Sequence, residues 1–161
     1  MRTQVLSILV FNTSGVLSRV AGLFSRRGFN IDSLTAGITS DERYTRMTIV
    51  TSGDEQVLNQ IENQLAKLED VVSIEKLQPG ESVTRELILL KVKATDENRG
   101  AIQSLVEIFR ARIVDVAVDS MLIELTGTQR KLNAFMELMT KYGILELART
   151  GVTALARGME D

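Results

Sequence analysis

The chain has 161 residues, 44% of them hydrophobic, and a formal net charge of -2 from 19 basic and 21 acidic side chains. The length allows one domain or two small ones, the apolar share supports a packed core rather than disorder, and the near-balance of charge gives no long-range pull towards nucleic acid or an anionic membrane. There is no cysteine and no histidine, which excludes disulfides, zinc fingers, thiol nucleophiles, Ser-His-Asp triads and imidazole bases. A carboxylate-only Mg²⁺ or Ca²⁺ site is compatible with the composition, but no EF-hand spacing is present and no metal site is expected. No apolar run approaches the roughly 18 residues of a membrane span. The first residues enter strand-like sequence with no signal or transit pattern ahead of them, which predicts a cytoplasmic protein.

The near-continuous apolar run Val5 to Phe11 predicts a strand buried on both faces. A helix is expected from about Ser14 to Arg27, with Thr13 or Ser14 as N-cap and Val16, Leu17, Val20, Leu23 and Phe24 at helical spacing. Gly28 stands where a left-handed residue would close that helix. Ile31 to Ile38 and Tyr44 to Thr51 read as strands joined by the polar turn Ser40-Asp41-Glu42-Arg43. Ser52 and Glu55 fit a capping box for a second helix carrying Val57, Leu58, Ile61, Leu65 and Leu68. A fourth strand follows, Val71 to Leu77. The stretch Gln78-Pro79-Gly80-Glu81-Ser82 holds the only proline and reads as a linker.

The pattern then repeats. Leu87 to Ala94 is a predicted strand, and Asp96 can cap a helix bearing Ile102, Leu105, Val106 and Phe109. Ile113 to Val118 and Met121 to Leu125 form a predicted hairpin through Asp119-Ser120, Thr128 caps a fourth helix closed by Gly143, and Ile144 to Ala148 is the last predicted strand. The expected fold class is therefore α+β, two tandem βαββαβ ferredoxin-like units: residues 1–77, a linker at 78–83, and residues 84–161. In such a unit the strands take the order 4-1-3-2, which leaves Ile31 to Ile38 at an edge. That edge has no lysine or proline to discourage pairing. A two-fold dimer with a continuous sheet is expected there, with pairing to the chain's own second domain as the competing arrangement.

The most informative stretch is Asn12 to Ile31. Gly15 is expected in the first helical turn, where free N–H groups and the positive dipole end can receive a small anion such as a carboxylate. Turns of this kind also use Asn, Ser and Gly purely for backbone geometry. What favours a ligand is the pair of amides, Asn12 and Asn30, flanking an otherwise apolar helix, a placement suited to gripping both charged ends of an amino acid. Arg2, Arg19, Arg26 and Arg27 form either a basic patch or a solvated helix face, and Met121, Met136 and Met139 fit a core at their spacing better than a docking surface.

The segment Asn12-x-Ser14-Gly15-Val16-Leu17-Ser18-Arg19-Val20, followed by Leu23-Phe24-Ser25-Arg26-Arg27-Gly28-Phe29-Asn30-Ile31, closely resembles the small regulatory subunit of acetolactate synthase (acetohydroxyacid synthase). Arg46-Met47-Thr48, Gln64-Leu65-x-Lys67-Leu68, Glu107-Ile108-Phe109-Arg110 and Ala148-Arg149-Thr150-Gly151 extend the resemblance across the chain, more loosely in the second half. It implies an amino-terminal ACT domain that pairs into dimers and a distinct carboxy-terminal domain. It also implies valine, or a related branched-chain amino acid, bound by Asn12, Gly15, Val16 and Leu17 of one subunit and Asn30 and Ile31 of its neighbour. The chain itself would be non-catalytic and carry no cofactor. It would raise the activity of a large subunit bearing thiamine diphosphate, Mg and FAD, and confer feedback inhibition in branched-chain amino acid biosynthesis.

Three rivals have distinct signatures. A stand-alone enzyme needs convergent carboxylates, lysines or a tyrosine at a strand end, and none is evident. RNA binding shares the βαββαβ order but needs stacking aromatics on the central strands; the third strand offers only Tyr44, at its start, and lacks the Gly-Phe pattern such a motif requires. A free amino-acid-sensing ACT protein acting on another enzyme is opposed by the long carboxy-terminal half.

Overall fold

The computed structural model describes residues 1–158. Two compact units emerge from the contacts: Met1–Val83 together with the segment from Val152 onward, and Thr84–Gly151.

In the first unit β1 (Arg2–Phe11), α1 (Val16–Arg27), β2 (Asn30–Ile38), β3 (Tyr44–Gly53), α2 (Glu55–Ala66) and β4 (Val71–Leu77) follow in order. The sheet runs β2-β3-β1-β4, all antiparallel, with β2 at an edge as expected. Alternation along β1 sends Leu6, Ile8 and Val10 to one face, where they meet Met47 and Ile49 of β3 and the apolar stripes of both helices. Val20, Leu23 and Phe24 of α1 and Leu58, Ile61 and Leu65 of α2 complete that core. Each such side chain stabilises the fold by about 1.5–3 kcal/mol on burial. Gly28 closes α1 at φ 67°, and its N–H reaches the Phe24 and Ser25 carbonyls.

The opposite face of this sheet holds the largest departure from expectation. Residues 152–158, expected in the second domain, belong instead to the first unit and include a short strand, β9 (Thr153–Ala156). Val152 and Ala154 pack on Val5, Val50 and Leu77. The Val152 N–H donates to Ser33 Oγ at 2.8 Å, Thr35 Oγ1 donates to the Val152 carbonyl at 2.9 Å, and the Arg157 N–H donates to the Glu81 carbonyl at 2.7 Å. Without this strap, Val50 and Leu77 would face water.

In the second unit β5 (Ser82–Lys93) begins earlier than predicted, inside the expected linker, and leads to α3 (Arg99–Phe109), β6 (Arg112–Val116), β7 (Ser120–Gly127), α4 (Gln129–Met139) and β8 (Ile144–Arg149). Its sheet order, β6-β7-β5-β8, repeats that of the first unit. Ile88, Leu90, Val92, Ile102, Ile123, Leu132 and Phe135 are sealed from solvent, and Met121 and Met139 join them as core rather than surface.

Three predicted caps need correction. Asp54, not Ser52, caps α2, its Oδ1 accepting from the Val57 N–H at 2.8 Å. Ser52 belongs to β3, so no capping box forms with Glu55. The residue before α3 is Asn98 rather than Asp96; its Oδ1 accepts from the Thr95 N–H at 2.7 Å and thereby ties down the entry turn. Thr128 does cap α4, accepting from Lys131. The third correction, at α1, bears on the site.

Candidate functional site

Between β1 and α1 the chain turns through Asn12, Thr13, Ser14 and Gly15. Neither Thr13 nor Ser14 caps the helix. The N-cap is Gly15 in the left-handed conformation, φ 79°, and no side chain accepts from the first-turn N–H groups. Gly15 is therefore the hinge residue before the first turn rather than a member of it. Only glycine takes that φ without strain, and the uncapped helix start keeps donors and a positive dipole end available to an anion.

Arg19 organises this turn, a role that neither expected reading of the arginines, a basic patch or a solvated helix face, included. Its Nε donates to Asp70 Oδ2 at 2.6 Å, and its Nη2 to Asp70 Oδ1 at 3.0 Å, Thr13 Oγ1 at 3.2 Å and the Ser14 carbonyl at 3.1 Å. Thr13 Oγ1 donates to the same carboxylate at 2.9 Å. The hydrogen bond from Arg19 holds the Asp70 carboxyl below its ordinary value, and the same bond raises the guanidinium. A methyl group on Gly15 would stand 3.0 Å from Arg19 Nη1, so a cation borders the helix start. The signal available in the sequence was the four-residue step from Gly15 to Arg19; Asp70, fifty-one positions from Arg19, gave none.

The other expected site residues divide into two groups. Asn12 lies with Gly15: its Nδ2 donates to the Glu42 carbonyl at 3.2 Å, and its Oδ1 accepts from Thr45 at 3.3 Å. Val16 is 7% exposed and serves mainly as core, whereas Leu17 is 47% exposed beside it. Asn30 and Ile31 stand at the start of β2, opposite Ser52 and Thr51. Asn30 Nδ2 donates to Asp32 Oδ1. Thr45 and Ser52 are seven residues apart on β3, so the two amides of one chain are separated along the sheet by roughly 23 Å at about 3.3 Å per residue. No single copy brings them together. Antiparallel, two-fold pairing of two β2 edges would set the Asn30 end of one strand beside the Ile38 end of the other. In the register of the sheet, that end is the one where Thr45, Asn12 and Gly15 lie.

Among the described residues no cluster of three acidic side chains is arranged to hold a metal, and no helix is long and apolar enough to cross a membrane.

Comparison with known proteins agrees with this architecture. Residues 6–73 match the family model for the AHAS small subunit-like ACT domain, and residues 85–158 match the model for the small subunit of acetolactate synthase. A probable acetolactate synthase small subunit from Archaeoglobus fulgidus is 53% identical over 96% of this chain and 97% of its own length. The acetolactate synthase isozyme 3 small subunit of Escherichia coli K12 is 47% identical over 96% of each. The crystal structure of the acetolactate synthase small subunit from Thermotoga maritima superposes with a TM-score of 0.92 at 41% identity, covering 99% of this chain and all of that one.

Proposed function

Because the chain belongs to the acetolactate synthase small-subunit family, we propose that it docks on a thiamine-diphosphate-dependent catalytic subunit in the cytoplasm, raises its activity and makes it answer to valine. The observation that carries this reading is the start of α1, uncapped by any side chain, opened by a left-handed glycine and bordered by Arg19.

In the proposed complex two copies pair along β2. The valine carboxylate receives N–H groups from around Gly15, Val16 and Leu17, each charge-assisted bond contributing about 1.5–3 kcal/mol. Asn12 of one copy and Asn30 of the other turn amide oxygens to the ammonium group. Ile31 and the exposed edge of Val16 and Leu17 enclose the isopropyl group, whose burial adds on the order of 2 kcal/mol. A ligand held by residues of both copies binds the paired state better than a splayed one, and that difference in affinity is what any regulatory response requires. The chain contributes no reacting group; the chemistry belongs to the large subunit.

The test is acetolactate formation by a purified large subunit with and without this chain, in the presence and absence of valine. The rate should rise when the chain is added and fall again with valine, while the chain alone turns nothing over. A large subunit indifferent to the chain would overturn the proposal.

A further inference from the structure

We propose that the outer face of the first unit's sheet carries a separate receptor for a carboxylate on a short aliphatic stem, built on Arg46. This goes beyond the valine reading and does not depend on it. Arg46 lies on β3 between Leu9 of β1 and Gly37 of β2, on the side turned away from α1 and α2. It is half-buried. Its Nη1 donates to Ser7 Oγ at 2.8 Å, but among the described residues no carboxylate lies within 4.0 Å of it. The contrast with two comparable arginines is informative. The side chains of Arg99 and Arg149, 27% and 26% exposed, are paired with Asp96 and Glu86 respectively. A guanidinium withdrawn from water gains most from a two-pronged carboxylate partner, and among the described residues Arg46 has none.

Space for that partner exists. Arg46 opens into a concavity of about 340 Å³, walled by the hydroxyl-bearing Thr35 and Thr48 and by Thr153 of the strap. That volume lies in the range of small-molecule sites. Gly37, directly across from Arg46, leaves room: a methyl group added there would meet nothing within 4 Å. Two exposed apolar side chains, Ile38 and Leu155, stand at the rim and suit a few methylene groups beside the charge. The ligand is thus a free short-chain carboxylic acid or a glutamate side chain presented by a partner protein.

The full chain, ¹⁵N-labelled, is titrated with sodium butyrate against sodium chloride at matched ionic strength while the Arg46 Nε–H signal is followed by NMR. In parallel, affinity for the large subunit is measured for wild type, R46Q and G37V. G37V fills the concavity while leaving the guanidinium in place, so it reads the site even if R46Q folds poorly. Saturable movement of the Arg46 signal by butyrate alone, at least tenfold weaker in G37V, supports the free-acid form. A tenfold or greater loss of large-subunit affinity in both variants, without butyrate binding, supports the glutamate form. If butyrate acts no differently from chloride and both variants hold the large subunit as wild type does, the proposal is overturned. Valine affinity measured on R46Q, whose side chain lies on β3 away from the β2 pairing edge, should be unchanged, which separates this outcome from any failure of the valine site.

Discussion

Gly15 concentrates two demands in one position. Its φ of 79° strains any side chain, and a Cβ there would crowd Arg19 Nη1 at 3.0 Å, so the arginine would have to shift. Gly15→Asp should therefore weaken valine binding by more than tenfold in calorimetry, because it adds strain of about 1–2 kcal/mol and sets a carboxylate against the incoming one. Asp70 supplies a pH test. Its carboxyl is held below its ordinary value of 3.8 mainly by the Arg19 hydrogen bond, so its contribution to stability is complete above that value and is lost as pH falls through the lowered one. Asp41, held down to about 2 by Arg43, titrates in the same acid limb. The difference between wild type and Asp70→Asn therefore isolates the Arg19 contact. That difference in melting temperature should be constant above about pH 5 and shrink towards zero in strong acid. A difference independent of pH would show that the carboxylate charge is not what matters at this position.

The helices and strands themselves were legible because their apolar periodicity is strong: β4 was read to the residue, and the strand orders followed from the βαββαβ pattern. Helix starts were not. Ser52, Asp54 and Glu55 all qualify as capping residues within four positions, and pattern alone does not choose between a box at Ser52 and a single cap at Asp54. The structure chooses because β3 keeps its extended pairing through Gly53. Asp54→Ala should cost about 1 kcal/mol in chemical denaturation. Ser14→Ala, at a helix that takes no side-chain cap, should stay within about 0.5 kcal/mol. Equal losses in both would contradict the assignment of the caps. Strand β9 escaped detection for another reason: Thr153-Ala154-Leu155-Ala156 is four residues long and half alanine, too short to display a period. The Arg19–Asp70 pair was hidden in the same way, since nothing local in the sequence announces a contact across fifty-one positions.

At the scale of the molecule, β2 is an edge without the usual protection, and its pairing is open to direct test. Ala36→Lys places a charge on that margin at an exposed position. Sedimentation should then report a mass near the single-chain 17.8 kDa, against twice that mass for wild type under the proposed pairing. The strap has its own consequence. The second unit is continuous from Thr84 to Gly151, whereas the first is interrupted and completed only by Val152 and Ala154. During synthesis at about 5–20 residues per second, roughly 3 to 14 seconds separate Val83 leaving the ribosome from Val152 doing so. Through that interval the nascent first sheet carries Val50 and Leu77 uncovered, an apolar patch that only the arrival of Val152 and Ala154 closes.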